Sequence, residues 1–229
     1  MDGVFLMAAK AERMDREKWV HSFGIGLTGG IATGKSTVAS ILRSMEVLVW
    51  DADTLAREAV APGREALAAI VRTFGSEYLL PSGELDRAKM RATVLIEAQQ
   101  RKKLEAILHP AIQQELWLQL EAAAIVGTPT FWVYEAALLF ETNTDKRFRE
   151  IWVTSCSRET QISRLCERDQ MPRDQAVTLL QTQESTEEKC RRATRIIDTE
   201  GDLPSIREQV SAHWALVNSH NQMLYKYKY

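Results

Sequence analysis

The chain has 229 residues, 45% of them hydrophobic, and a formal net charge of −2. That length suits one α/β domain with an insertion, or at most two small domains, and the composition excludes a globally disordered chain. The near-neutral balance excludes a protein held to nucleic acid or an anionic membrane by charge spread over the whole chain. Phosphate binding, if present, has to come from a local constellation.

Three widely spaced cysteines, Cys156, Cys166 and Cys190, offer neither a disulfide framework nor zinc-ligand spacing, and predict reduced thiols in a cytoplasmic protein. No apolar run reaches membrane-spanning length. The run Val4–Ala9 is short and is followed by Lys10, Glu12, Arg13 and Asp15, a poor fit to a signal peptide. Residues 1–22 are therefore expected to be an extension, helical or frayed, ahead of a domain over 23–229. Neither a membrane nor a nucleic acid is expected as a partner, and nothing in the sequence sets an oligomeric state.

Residues 23–28 read as a short strand, followed by a glycine-rich turn from Gly29 to Gly34. Val38, Ile41, Leu42 and Met45 then recur at i, i+3, i+4 and i+7, the stripe of an amphipathic helix. Residues 47–50, Val-Leu-Val-Trp, form an apolar run of strand length without alternation, as in a buried parallel strand, and Asp51-Ala52-Asp53 follows it. From about 55 to 125 the pattern is mostly helical, broken at Pro62-Gly63 and at Pro81-Ser82-Gly83. Pro110 is expected to open a helix at its first turn. Ile112, Leu116, Leu120 and Ala123 would form that helix's buried face, and Gly127-Thr128-Pro129 would end the stretch. Residues 130–134, 151–154 and 195–198 read as further strands, with helices at 159–168, at 173–183 and around Ile206, Val210, Trp214 and Val217. Strands alternating with helices predict an α/β fold with about five parallel strands flanked by helices.

Gly29-Gly30-Ile31-Ala32-Thr33-Gly34-Lys35-Ser36 satisfies G-x-x-x-x-G-K-[ST] at every constrained position, between a strand and a helix as the motif requires. Glycines let the backbone turn tightly enough for successive N–H groups to face one anion, and the following helix adds its dipole. Lys35 would set a point charge against the outer phosphates, and the Ser36 hydroxyl would be the protein ligand of Mg²⁺. Thr37 completes the predicted nucleotide-binding set.

A phosphate loop does not by itself separate a kinase from an ATPase or a switch. Asp51 and Asp53 follow strand two, at the sheet edge where ligands bind. Two readings stand: one carboxylate orients and deprotonates an attacking hydroxyl, or both cap the next helix. Arg164 and Arg168 share a helix face after strand four, either to neutralise charge on a transferring phosphoryl group or as a solvated face paired to Glu167 and Asp169.

The ordered set of these segments resembles dephospho-CoA kinase. It comprises residues 25–39 around the loop, Asp51-Ala52-Asp53 with Ala56-Arg57-Glu58, Gly83-Glu84-Leu85-Asp86-Arg87, His109-Pro110-Ala111-Ile112, Leu138-Leu139-Phe140-Glu141, Gln161-Ile162-Ser163-Arg164-Leu165 and Arg168-Asp169. The resemblance covers about residues 23–217. It implies a P-loop kinase fold with a helical insertion at 60–125 that binds the acceptor, and a lid at 158–190. It also implies ATP with Mg²⁺ as phosphoryl donor and dephospho-CoA as acceptor, phosphorylated on its ribose 3′-hydroxyl in the last step of coenzyme A synthesis. By the same resemblance Asp53 is the catalytic carboxylate, Arg164 contacts ATP phosphates, and Arg168 lies in the lid. Arg87 and His109 are implied as acceptor contacts, His109 having the second reading of a helix-opening residue packed beside Pro110. Three positions depart from the family pattern. Ala137 replaces a proline, and Thr194 and Thr199 stand where an Asp and an Asn are usual, which bears on contacts near the adenine end.

Other readings have less behind them. A GTPase switch would need an Asn-Lys-x-Asp motif, which Asn143-Thr144-Asp145-Lys146 does not supply, and Asp198-Thr199-Glu200-Gly201 comes too late for its D-x-x-G. A kinase for shikimate, gluconate or a nucleoside would suit the loop and Asp53 but not the long insertion. A non-enzymatic ATP-binding module would leave Asp53 and Arg164 unexplained.

Overall fold

Side chains on successive residues of a strand point to opposite faces, and one short strand shows how the sheet uses this. The structure is a computed structural model and describes residues 16–123, 125–126 and 130–226. In β3 (Trp132–Glu135), Val133 joins one apolar cluster together with Phe131 just before the strand. Trp132 and Tyr134 instead meet Phe148, at ring-centroid distances of 6.0 and 5.4 Å.

The other strands are β1 (Gly24–Gly29), β2 (Val49–Asp51), β4 (Glu150–Ser155) and β5 (Arg195–Asp198). Their order across the sheet is β2-β3-β1-β4-β5, and β1–β3, β1–β4 and β4–β5 pair in parallel. The predicted five-stranded parallel sheet is therefore observed. The loop-bearing strand β1 is central and buried throughout. Register sets Leu27 beside Glu135 and Gly29 beside Thr154, so the ends of β3 and β4 flank the loop that leaves β1. The predicted burial of strand two holds at Val47, which joins the core just before β2, and is corrected for the strand itself. Residues of β2 are half-buried because the strand lies at the sheet edge, where one side lacks a neighbour.

Helix α1 (Arg16–Phe23) buries Trp19 at 1% exposure, stacked on Trp132 with centroids 5.9 Å apart. Residues 1–15 of the expected extension lie outside the described residues. Helix α2 (Lys35–Ser44) buries Val38, Ile41 and Leu42, as their spacing predicted. Ile25, Leu27 and Trp152 join the same cluster, with Ile206, Val210 and Val217 from the last helix.

The chain divides into two compact units, one of residues 1–49 with 127–229, the other Trp50–Val126. The second holds α3 (Ala52–Ala59), α4 (Glu65–Phe74), α5 (Arg87–Ile96) and α6 (Ala98–Ala122). α6 packs against the other three over a core that includes Leu67, Ile70, Met90 and Leu104. Pro110 does not open a helix: it sits inside the 25-residue α6. Its ring removes the hydrogen bond to the carbonyl of Ala106. Both residues are exposed, so water can satisfy that carbonyl, and packing on three helices holds the element together. Leu116 and Leu120 are buried as expected, whereas Ala123 is exposed past the helix end. The predicted stop at residues 127–129 lies outside the described residues.

In the first unit, β4 is followed by α7 (Arg158–Asp169), α8 (Arg173–Leu180) and α9 (Thr186–Arg192), and β5 by α10 (Leu203–Lys226).

Candidate active site

The loop after β1 is braced from beneath by hydroxyls. Thr33 Oγ1 donates to Gly30 O at 2.8 Å and lies 2.7 Å from Thr154 Oγ1, with both threonines buried. A Cβ on Gly29 would lie 2.1 Å from Thr154 Oγ1, so only glycine fits where the chain leaves the strand. At the other end Gly34 adopts φ 79°, the left-handed region, as the N-cap of α2. No side chain caps α2, and among the described residues the N–H groups of Ile31, Ala32, Gly34, Lys35 and Ser36 donate to no protein acceptor. A row of free amides on a helix N-terminus is an anion site.

Ser36 and Thr37 line a cavity of about 490 Å³ together with Ala32, Gly34, Arg164, Arg168 and Thr199. Among the described residues Arg164 forms no ion pair with an acid. Its NH1 donates to Ala32 O at 3.3 Å and its NH2 to Thr199 O at 2.6 Å, so it grips the phosphate loop from α7. Arg168 follows the solvated-face reading: it makes a two-pronged contact with Asp169, both bonds at 2.7 Å, while bordering the cavity. Burial pushes the Cys156 thiol up despite the Arg164 guanidinium, whose NH1 lies 3.6 Å from its Sγ.

Lys35 reaches a partner that the motif does not name. Its Nζ donates to Glu135 Oε1 at 3.1 Å, and Arg43 approaches the other carboxylate oxygen at 3.5 Å. Glu135 ends β3 and is 4% exposed. Beside this, Lys189 of α9 is fully buried, donating to Glu141 Oε1 at 2.8 Å and to Ala137 O at 2.9 Å.

In the second unit the two acids separate. Asp51 caps α3, its Oδ1 accepting from Thr54 N at 2.6 Å. Asp53 lies in the first turn of α3, and its side chain makes no hydrogen bond among the described residues. The capping reading thus applies to Asp51 alone. Arg87 donates to Ala56 O at 3.3 Å, and its guanidinium pKa is lowered by partial burial and then by Arg57, with Asp53 opposing. Asp53, Arg57 and Arg87 therefore share one electrostatic neighbourhood. His109 is exposed on α6.

Known proteins sharpen these observations. The family model described as Dephospho-CoA kinase matches residues 23–205. The chain belongs to the dephospho-CoA kinase family. Among relatives named dephospho-CoA kinase, one from Geobacter sulfurreducens is 44% identical over 83% of this chain and 96% of its own length. Another, from Shewanella oneidensis, is 42% identical over 84% and 92%. A crystal structure from Thermus thermophilus superposes with a TM-score of 0.72 at 30% identity, covering 87% of this chain and 98% of that one. A Campylobacter jejuni dephospho-CoA kinase shares the fold with a TM-score of 0.57 at 21% identity, covering 85% and 96%.

For this dephospho-CoA kinase family member, sequence reasoning missed Glu135 and Lys189. A signal for the first was present: an apolar run, Phe131-Trp132-Val133-Tyr134, leads into an acid. Nothing local marks Lys189, which lies in the charged stretch Glu187-Glu188-Lys189.

Proposed function

We propose that this kinase transfers the γ-phosphoryl group of ATP directly to the ribose 3′-hydroxyl of dephospho-coenzyme A, releasing ADP. The observation that carries the reading is the family match over residues 23–205. The phosphate loop suits the donor on physical grounds, with five amides unused among the described residues and an uncapped helix. The acceptor oxygen attacks phosphorus as the bond to the β-phosphate oxygen breaks. The 3′-hydroxyl proton passes to the Asp53 carboxylate, which the Asp51 cap leaves free for that task. Arg164 holds the loop in shape and faces the cavity, where its charge screens the phosphates. Arg168, in the lid, exchanges Asp169 for phosphate when ATP binds. Arg87 with Arg57 forms a cationic pair suited to an acceptor phosphate, and His109 is a further acceptor contact on α6.

The donor set fits Mg²⁺ arriving with ATP. Among the described residues no group of three His, Cys, Asp or Glu could hold a metal, and Mg²⁺ bound largely by phosphate oxygens and water needs only the Ser36 hydroxyl beside the loop. When bound, the ion supplies charge neutralisation on the β- and γ-phosphates. The three cysteines are free, which suits a cytoplasmic enzyme.

Release of ADP with dephospho-CoA, shikimate, gluconate or adenosine as acceptor tests the assignment. Dephospho-CoA should give the highest kcat/KM. If it gave no more ADP than buffer while another acceptor did, the assignment would fall.

Glu135 and ATP phosphate compete for the same ammonium. Glu135→Gln should lower stability by about 1–3 kcal/mol in urea denaturation, because a charge-assisted bond to Lys35 is lost. In saturating ATP the deficit should shrink, since phosphate then partners Lys35. A deficit equal with and without ATP would exclude this hand-over.

A further inference from the structure

Thr199 is fully buried at the first position after β5. Its N–H donates to Ser155 O at 2.8 Å and extends the β4–β5 ladder by one residue. Its hydroxyl then reaches across to the phosphate loop. Oγ1 lies 2.8 Å from Thr33 O and 3.1 Å from Ser155 O, and the single hydroxyl proton favours the nearer acceptor. Arg164 closes the arrangement, with NH2 on Thr199 O at 2.6 Å and NH1 on Ala32 O at 3.3 Å. Consecutive carbonyls of the loop, Ala32 and Thr33, are thus held from outside by Arg164 and Thr199.

Holding the Thr33 carbonyl has a consequence for the next N–H. The peptide joining Thr33 to Gly34 is planar and trans, so its C=O and N–H point in opposite directions. Drawing the Thr33 oxygen toward Thr199 aims the Gly34 N–H away from it, and among the described residues that N–H has no protein acceptor. Gly34 is itself confined there: an added Cβ would lie 3.2 Å from Thr199 Cβ, and φ is 79°. Thr199 also borders the cavity that Ser36 and Thr37 line.

We propose that Thr199 is a positioning residue for the nucleotide: its hydroxyl, acting through the Thr33 carbonyl, aims the Gly34 N–H at a phosphate of ATP and so sets affinity for ATP, not for the acceptor. The inference rests on ATP occupying the phosphate loop, as proposed above. A residue of the wrong shape would be excluded by Gly34, and one without a donor would leave the Thr33 oxygen buried and free to rotate its peptide.

The test compares Thr199→Val, which keeps the shape and loses the hydroxyl, with Thr199→Ser, which keeps the hydroxyl and loses the methyl. ATP dissociation constants come from titration, and KM for both substrates from steady-state kinetics, well below each variant's melting temperature. Thr199→Val should weaken ATP binding by about five- to tenfold, the effect of one net hydrogen bond. KM for dephospho-CoA should stay within about twofold of the parent, and Thr199→Ser should bind ATP within about twofold of the parent. Thr199→Ala removes the same donor without adding bulk, and it must also weaken ATP binding should Thr199→Val fail to fold. Unchanged ATP affinity in the hydroxyl-free variants, or equal loss in Thr199→Ser, would overturn the inference and leave Thr199 a packing residue. Titration with ATP needs no acceptor, so a wrong acceptor assignment would show only in the turnover assay of the parent.

Discussion

Asp53→Asn should cut kcat by about 10² or more while leaving ATP affinity within about twofold, the usual range for losing a general base. The change removes the proton-accepting oxygen and keeps the side chain's size. Helix α3 should survive it, because the cap belongs to Asp51, whose Oδ1 holds Thr54 N. The acidic first turn gains only about 0.3–1 kcal/mol from the helix dipole. Turnover by single-cycle kinetics and ATP binding by titration separate the two effects. The matching control is Asp51→Asn, which keeps a capping side chain and should retain near-parental turnover. Unchanged turnover in Asp53→Asn would remove that carboxylate from the chemistry, and a matching loss in Asp51→Asn would mean that α3 itself had been disturbed.

The second large effect concerns stability beside the site. Glu141→Leu should lower the unfolding free energy by about 3 kcal/mol, toward the low end for breaking a buried ion pair. The asymmetry between the partners sets that size. Lys189 is fully buried, whereas the Glu141 side chain is 26% exposed, so losing the acid strands an ammonium that cannot reach water. Ala137 O remains as an acceptor for Nζ, but it is already shared with the Thr28 hydroxyl at 3.2 Å and carries no full charge. Replacing both partners, Glu141→Leu with Lys189→Met, should return to within about 1 kcal/mol of the parent, since two apolar groups need no compensation. Urea denaturation of the single and double variants measures this. A single variant losing less than about 1 kcal/mol, or a double variant no better than the single, would show that the pair does not hold the segment after β3 to α9.

These expectations differ in how far the sequence alone could have reached them. The phosphate loop was legible because its chemistry is local. Gly34 at φ 79° and an uncapped helix starting at Lys35 follow from residues within one turn of each other. The parallel sheet was legible because apolar strand runs alternate with helical stripes along the chain. Burial of Val38, Ile41 and Leu42 followed directly from their spacing. The misreadings came where packing overrode local preference. Pro110 signals a helix start to any local rule, yet α6 continues through it, because contacts with three helices outweigh one missing hydrogen bond. Val49 and Trp50 look like core but sit on an edge strand, and edge position is a property of strand order, which hydropathy does not encode.

What the amino-acid sequence determined by itself is the fold class, the anion-binding loop and the set of acids and arginines from which a kinase is built. Each depends on spacing between near neighbours, and covalent geometry converts that spacing into shape. Only the tertiary structure decided which of those groups are free to act. It gave the cap to Asp51 and left the Asp53 side chain without a hydrogen bond among the described residues, set Glu135 against Lys35, turned Arg164 onto loop carbonyls, and enclosed Lys189 with Glu141. Glu135 is 100 residues from Lys35, and Thr199 is 166 from Thr33. Hydrogen bonds over such separations are selected by which strand ends adjoin in the sheet, and no local pattern specifies that.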